Sequence, residues 1–259
     1  MCRWAAYIGS PIYLEEIVTA PGQSLIDQSL HAEESKTPTN GDGFGLAWYG
    51  ARETPGLYHD VLPAWADDNL RNLAHQVQSR LFLAHVRAAT GTATSRTNCH
   101  PFAVGRWSFM HNGQAGGYRR FRREVDMSIT SPCYAHRQGT TDSEALFLMA
   151  LGEGLDENPR RALERATGRM EAMSRETGET PHMRMTVAVS DGERLYCARY
   201  ASDRFAPTLY HKRMNQGRVV VSEPLEHGTD DWQEIPPGSF ATITHEGAEI
   251  EAFHPSFDA

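Results

Sequence analysis

The chain has 259 residues, a formal net charge of -8 and 22% charged residues. That length suits one large domain, and 40% hydrophobic residues provide a substantial core. The negative balance excludes a broad nucleic-acid or anionic-membrane surface, because no overall positive field draws phosphates in.

No apolar run approaches the roughly 18–20 residues needed to cross a bilayer. Residues 1–11 carry one arginine and too short an apolar stretch for a secretory signal, so a cytoplasmic location is expected. Four cysteines, at positions 2, 99, 133 and 197, form no CxxC pair and are expected as free thiols. The histidines are scattered, with neither HExxH nor zinc-finger spacing, so no metal or other cofactor is expected.

Taken in chain order, residues 2–9, 43–50, 80–87 and 107–113 are apolar and bounded by Gly, Asn, Asp or Arg, and predict strands. Between them, Asp67 and Asp68 precede a segment whose Leu70, Leu73, Ala74 and Val77 share one helical face. The locally basic run 116–125 reads as a solvated helix face. Residues 140–154 open with Thr and Asp before an apolar-rich helix, and 159–178 form an amphipathic one. A hairpin over 183–201 turns at Asp191-Gly192, followed by strands at 218–224, 239–247 and 248–253. Strands, then helices, then strands fit two packed sheets with helices outside, or one sheet with helices on one face.

Four places carry residues suited to chemistry. Cys2 becomes the N-terminus if Met1 is excised, which puts a thiol and a free α-amine on one residue. The amine, with a pKa of about 7.7–8, can then act as base to the thiol. Position alone favours the plainer account, a small buried residue opening a strand. Arg87 ends a strand before a polar loop and can grip a carboxylate in bidentate fashion, with the Thr90 hydroxyl nearby; a structural ion pair is the plainer account. Asn112 and Gly113 either form an ordinary turn or aim a side-chain amide and a backbone N–H at one oxyanion. Asp142 opens a helix, as an N-cap or as the partner of a substrate ammonium. The glycines of GDGFG (41–45) lack both phosphate-loop spacings, which rejects a nucleotide site.

Together MCRW, NGDGFGLAWY, HVRAATG, NCHPF, FMHNGQ and TTDSEA, in this order, resemble the class II glutamine amidotransferases. The resemblance covers roughly residues 1–150, and VVVSEPL (219–225) looks like a later element of stand-alone members. It implies an α+β chain with the four-layer αββα N-terminal-nucleophile hydrolase fold. Cys2 would be the nucleophile, Asn112 and Gly113 the oxyanion hole, and Arg87, Thr90 and Asp142 the binders of the substrate amino acid. His100 matches a position near the site and is given a supporting role. Where glucosamine-phosphate synthase has Trp after the arginine and then Ala-Thr-His-Gly, this chain has Ala88 and Gly91.

The resemblance implies a small-molecule substrate, glutamine or a γ-glutamyl compound, cleaved through a thioester. Residues 1–259 are expected to be a single glutaminase domain, similar to the γ-glutamyl hydrolase of ergothioneine biosynthesis. The alternatives are a glutaminase subunit that passes ammonia to a separate synthase partner, and a silent binding module.

Overall fold

The computed structural model describes residues 2–34, 39–89, 91–228 and 231–256. Its organisation starts from β1 (Arg3–Tyr13), which is apolar on both faces: Trp4, Ala6 and Ile8 join one cluster, Ala5 and Tyr7 another. A strand buried on both sides needs a layer on each. On one side lie α1 (Glu15–Val18), α2 (Leu25–Leu30) and, after the hairpin strands β2 (Phe44–Trp48) and β3 (Gly56–Asp60), α3 (Asp68–Gln76). Asp67 caps α3 by accepting from Leu70 N at 2.9 Å, and Leu70 and Ala74 are its buried residues.

The chain then runs through β4 (Gln78–Val86), the short β5 (Phe102–Val104) and β6 (Trp107–Ala115). The helical middle follows: α4 (Tyr118–Ser128), α5 (Ser131–Tyr134), α6 (Asp142–Gly152) and α7 (Pro159–Thr177). The basic run is α4, but it is only half solvated, because Tyr118, Phe121 and Val125 are buried beneath its arginines. Helix α6 is buried from Ser143 to Ala150, as a helix between a sheet and another helix must be.

The last third supplies β7 (Met183–Ser190), β8 (Leu195–Ala201), β9 (Tyr210–Met214), β10 (Gly217–Val221), β11 (Gln233–Glu234), β12 (Ser239–Ile243) and β13 (Ala248–Ala252). The predicted hairpin is β7–β8, and Asp191 accepts from Glu193 N and Arg194 N to form its turn.

Two antiparallel sheets result, in the orders β11-β9-β10-β1-β4-β2-β3 and β13-β12-β8-β7-β6-β5. The residues between them include Trp4, Leu83, Met110, Ala188 and Ile243. The outer face of the first sheet packs on α1–α3, and that of the second on α4, α6 and α7. The arrangement is the four-layer αββα fold; the one-sheet alternative does not occur. Tyr49 ties the layers together, its hydroxyl lying 2.8 Å from Ser108 Oγ and donating to Ser190 O at 2.9 Å. Among the described residues no helix is long and apolar enough to cross a membrane.

Candidate active site

Antiparallel pairing of β1 with β4 sets Arg3 opposite Val86, so the next pair outward is Cys2 and Arg87. The Cys2 thiol rests against the following backbone: Ala88 N donates to Sγ at 3.4 Å, and Sγ lies 3.6 Å from Ala88 O. Burial pushes the thiol's pKa up, while the Ala88 N–H and the charges of Arg87 and Arg3 pull it back. Met1 lies outside the described residues.

Arg3 fixes this end of the strand. Its Nε bonds Glu223 Oε2 at 2.7 Å and its Nη1 donates to Cys2 O at 3.1 Å. Both side chains of the ion pair are buried, and Glu223 also accepts from Glu33 N and Glu34 N. Leaving a buried charge without its partner costs about 3–5 kcal/mol. Glu223→Ala is therefore expected to lower Tm by about 6–20 °C in a thermal melt. An unchanged melt would show that the pair does not anchor β1.

Arg87 is buried at the cleft wall, where Nη1 donates to Asp42 O at 3.3 Å. Its Nη2 donates to Thr92 Oγ1 at 2.6 Å and Ala93 O at 3.3 Å. The segment is cradled by the GDGFG loop: Arg87 N donates to Gly43 O, Asp42 N to Arg87 O, and Ala89 N to Asp42 Oδ2. Gly43 has φ +106°, and a Cβ there would press on Cys99 Sγ at 2.6 Å, so the loop needs glycine for packing. Thr90 lies outside the described residues.

The second sheet brings Asn112 and Gly113 on β6. Trp4, two residues beyond Cys2, donates through Nε1 to Thr186 Oγ1 at 3.3 Å, and Thr186 is the register partner of Asn112. Neither the Nδ2 nor the Oδ1 of Asn112 has a hydrogen-bond partner, although the residue is fully buried. Gly113 lines the cleft; a Cβ there would collide with the Arg184 carbonyl of the adjacent strand. The two residues are thus in the middle of a strand, and the turn alternative does not hold.

Asp142 is the first residue of α6, but the cap is Thr141, whose hydroxyl accepts from Glu144 N at 3.1 Å. The Asp142 carboxylate instead accepts from Ala115 N and Ser143 N, each at 2.9 Å. It is freed from capping because its neighbour caps. The approach to α6 is braced by Arg137, which bonds Glu144 Oε2 and the Tyr118 hydroxyl at 2.8 Å each.

Cys2, Arg87, Gly113 and Asp142 line one cleft of about 680 Å³, together with His100 and His111. Asn112 sits beside it and is not among the lining residues. A groove of about 700 Å³ along α4 contains none of the predicted residues.

Histidines floor the cleft. The His100 ring packs at a tilt against His85, centroids 4.3 Å apart, and Phe102, 4.5 Å, and His111 Nδ1 lies 2.8 Å from Ser143 Oγ. Burial lowers the His85 pKa from 6.5 to about 3 and holds His100 well below its ordinary value. Below the unfolded-state pKa of 6.5 the unfolded chain takes up protons that the native rings refuse. Stability is therefore full above that pH and declines toward about 3, by about 1.4 kcal/mol per pH unit for each such histidine. Denaturant midpoints at about pH 7.5 and about pH 5.5, above most carboxylate titration, should show this fall. Equal midpoints would mean the rings are protonated in the native state. Among the described residues no group of three or more His, Cys, Asp or Glu is disposed to hold a metal ion.

Reasoning from the sequence missed the supports: Arg3, Glu223, Asp42, Thr92, Arg137 and His111. Arg3 gave a signal, a charge inside an apolar strand, which calls for a buried partner. Nothing in the local pattern pointed to Glu223, which lies 220 residues away.

Two antiparallel sheets packed between helical layers as an αββα sandwich are the fold of the N-terminal-nucleophile hydrolases. The chain belongs to the class II glutamine amidotransferases, whose sequence pattern matches residues 19–214. It is 31% identical to the probable glutamine amidotransferase DUG3 of Saccharomyces cerevisiae, over 100% of this chain and 85% of that protein. It is 29% identical to the gamma-glutamyl-hercynylcysteine sulfoxide hydrolase of Mycolicibacterium smegmatis, over 91% and 92% of the two. The structure of a glutamine aminotransferase class-II domain protein from Silicibacter pomeroyi superposes with a TM-score of 0.80 at 48% identity, over 98% of this chain and 100% of that one.

Proposed function

We propose that this protein is an amidohydrolase that cleaves the side-chain amide of glutamine or of a γ-glutamyl compound through a thioester on Cys2, with residues 1–259 acting as one glutaminase domain. The observation that carries the reading is that Cys2, Arg87, Gly113 and Asp142, drawn from both sheets and a helix, line one cleft.

In this reading Met1 is removed and the α-amine of Cys2 takes the thiol proton. Sγ attacks the γ-carbonyl carbon, and the Asn112 amide and Gly113 N–H donate to the resulting oxyanion. The C–N bond breaks as the α-ammonium returns the proton to the leaving amine. Water then hydrolyses the thioester, and glutamate departs. Arg87, with Thr90, holds the substrate α-carboxylate, and Asp142 holds its α-ammonium. The arrangement is supported by Arg87 having no carboxylate partner among the described residues, and by an Asp142 carboxylate that does not cap its helix.

The test is intact mass before and after exposure to a glutamine-like diazo-ketone, with Cys2→Ala as control. Loss of Met1 and a single adduct that requires Cys2 are expected. An adduct retained in Cys2→Ala, or no adduct on a chain lacking Met1, would overturn the reading.

A further inference from the structure

Four arginines line the cleft: Arg87, Arg119, Arg120 and Arg184. Two are neutralised by the protein. Arg120 pairs with Glu179 at 3.2 Å, and Arg184 bonds Asp203 through both Nε and Nη2. Among the described residues Arg87 and Arg119 have no carboxylate partner. Arg87 is buried and Arg119 exposed, and two guanidinium groups without a carboxylate partner on one cleft favour an anion there.

Their positions say which anion. Arg87, which follows the end of β4, donates to Thr92 Oγ1 and Ala93 O of the loop after it. Arg119, on α4, reaches the same loop, where its Nη2 donates to the Gly91 carbonyl. The two side chains therefore hold consecutive residues of one loop, 91–93, and both line the cleft. Arg87 is the weaker half, since its Nη groups already serve three oxygens of the protein. The first turn of α4 adds to this end: Gly116 to Arg120 all line the cleft, and the N-cap, Gly117, supplies no side-chain cap. An 11-residue helix with an open N-terminus favours a negative group beside it.

We infer that Arg119 is a second substrate-binding residue, which holds the α-carboxylate of the γ-glutamyl group together with Arg87. The inference rests on the reading of the cleft as a γ-glutamyl site. It also gives the Gly91 contact a role: Arg119 exchanges a neutral carbonyl for the substrate's carboxylate, a stronger charge-assisted acceptor.

The experiment compares two substrates, γ-glutamylethylamide and its counterpart with the α-carboxylate replaced by a carboxamide, with released ethylamine as the readout. Wild-type protein should prefer the carboxylate substrate in kcat/KM. Arg119→Ala should cut that preference about tenfold, the loss expected for one charge-assisted hydrogen bond, chiefly through KM. Arg119→Lys should restore part of it, because the charge is kept and the fork geometry lost. If Arg119→Ala slows both substrates equally, the residue only braces the loop and the inference is overturned. Equal rates for the two substrates in the wild type, or no ethylamine from either, would overturn the γ-glutamyl reading and this inference with it.

Discussion

Replacing Cys2 with alanine is expected to abolish glutaminase or γ-glutamyl hydrolase turnover, by a factor of ~10⁴–10⁶, while leaving the fold in place. The size follows from the chemistry, since without a thiol there is no thioester and the remaining groups only orient water. The fold survives because Cys2 precedes β1, is only half-buried, and its thiol makes only weak contacts with the Ala88 N–H and carbonyl. The anchoring of the strand falls to Arg3 and Glu223 instead. The check is steady-state ammonia or amine release, paired with a thermal melt. Turnover within tenfold of wild type would eliminate the covalent mechanism. Activity lost together with the melt would mean that the substitution has damaged the strand.

Asn112→Ala should lower kcat by ~10²–10³ with little change in KM, the effect of removing one oxyanion donor. A second expectation makes this test sharper. A buried amide with neither atom paired is a liability of about 1–3 kcal/mol, so it returns nothing to the folded state as it stands. Its removal should therefore leave Tm unchanged or raised, unlike the loss of a hydrogen-bonded core amide. Activity reduced without stability is the signature of a group kept for the transition state. A rise in KM alone would instead place Asn112 in ground-state binding.

The strands of both sheets were legible in the sequence where apolar runs end at Gly, Asp or Arg, as at β2, β4 and β6. Short elements with mixed composition were not read, among them α2, β3 and β9. Their residues take their conformation from neighbouring layers, as α2 does from β1 and β4, and their own periodicity is too short to show it. The helix at 142–152 was readable by its apolar content, but its capping was not. Thr141 and Asp142 are both good caps, and only the hydrogen bond from Ala115 N reveals that Asp142 faces the cleft.

The sequence by itself determined the family, the candidate nucleophile and the succession of strands, helices and strands. Each rests on residue types at short spacing, which a chain displays before it folds. The tertiary structure alone decided the rest: that Asn112 lies mid-strand, that Glu223 neutralises Arg3 from 220 residues away, and that Arg119 reaches the loop after Arg87. Such pairings arise when two sheets close on each other, because a buried charge or amide must take its partner from whatever packing brings near. No local pattern encodes that partner.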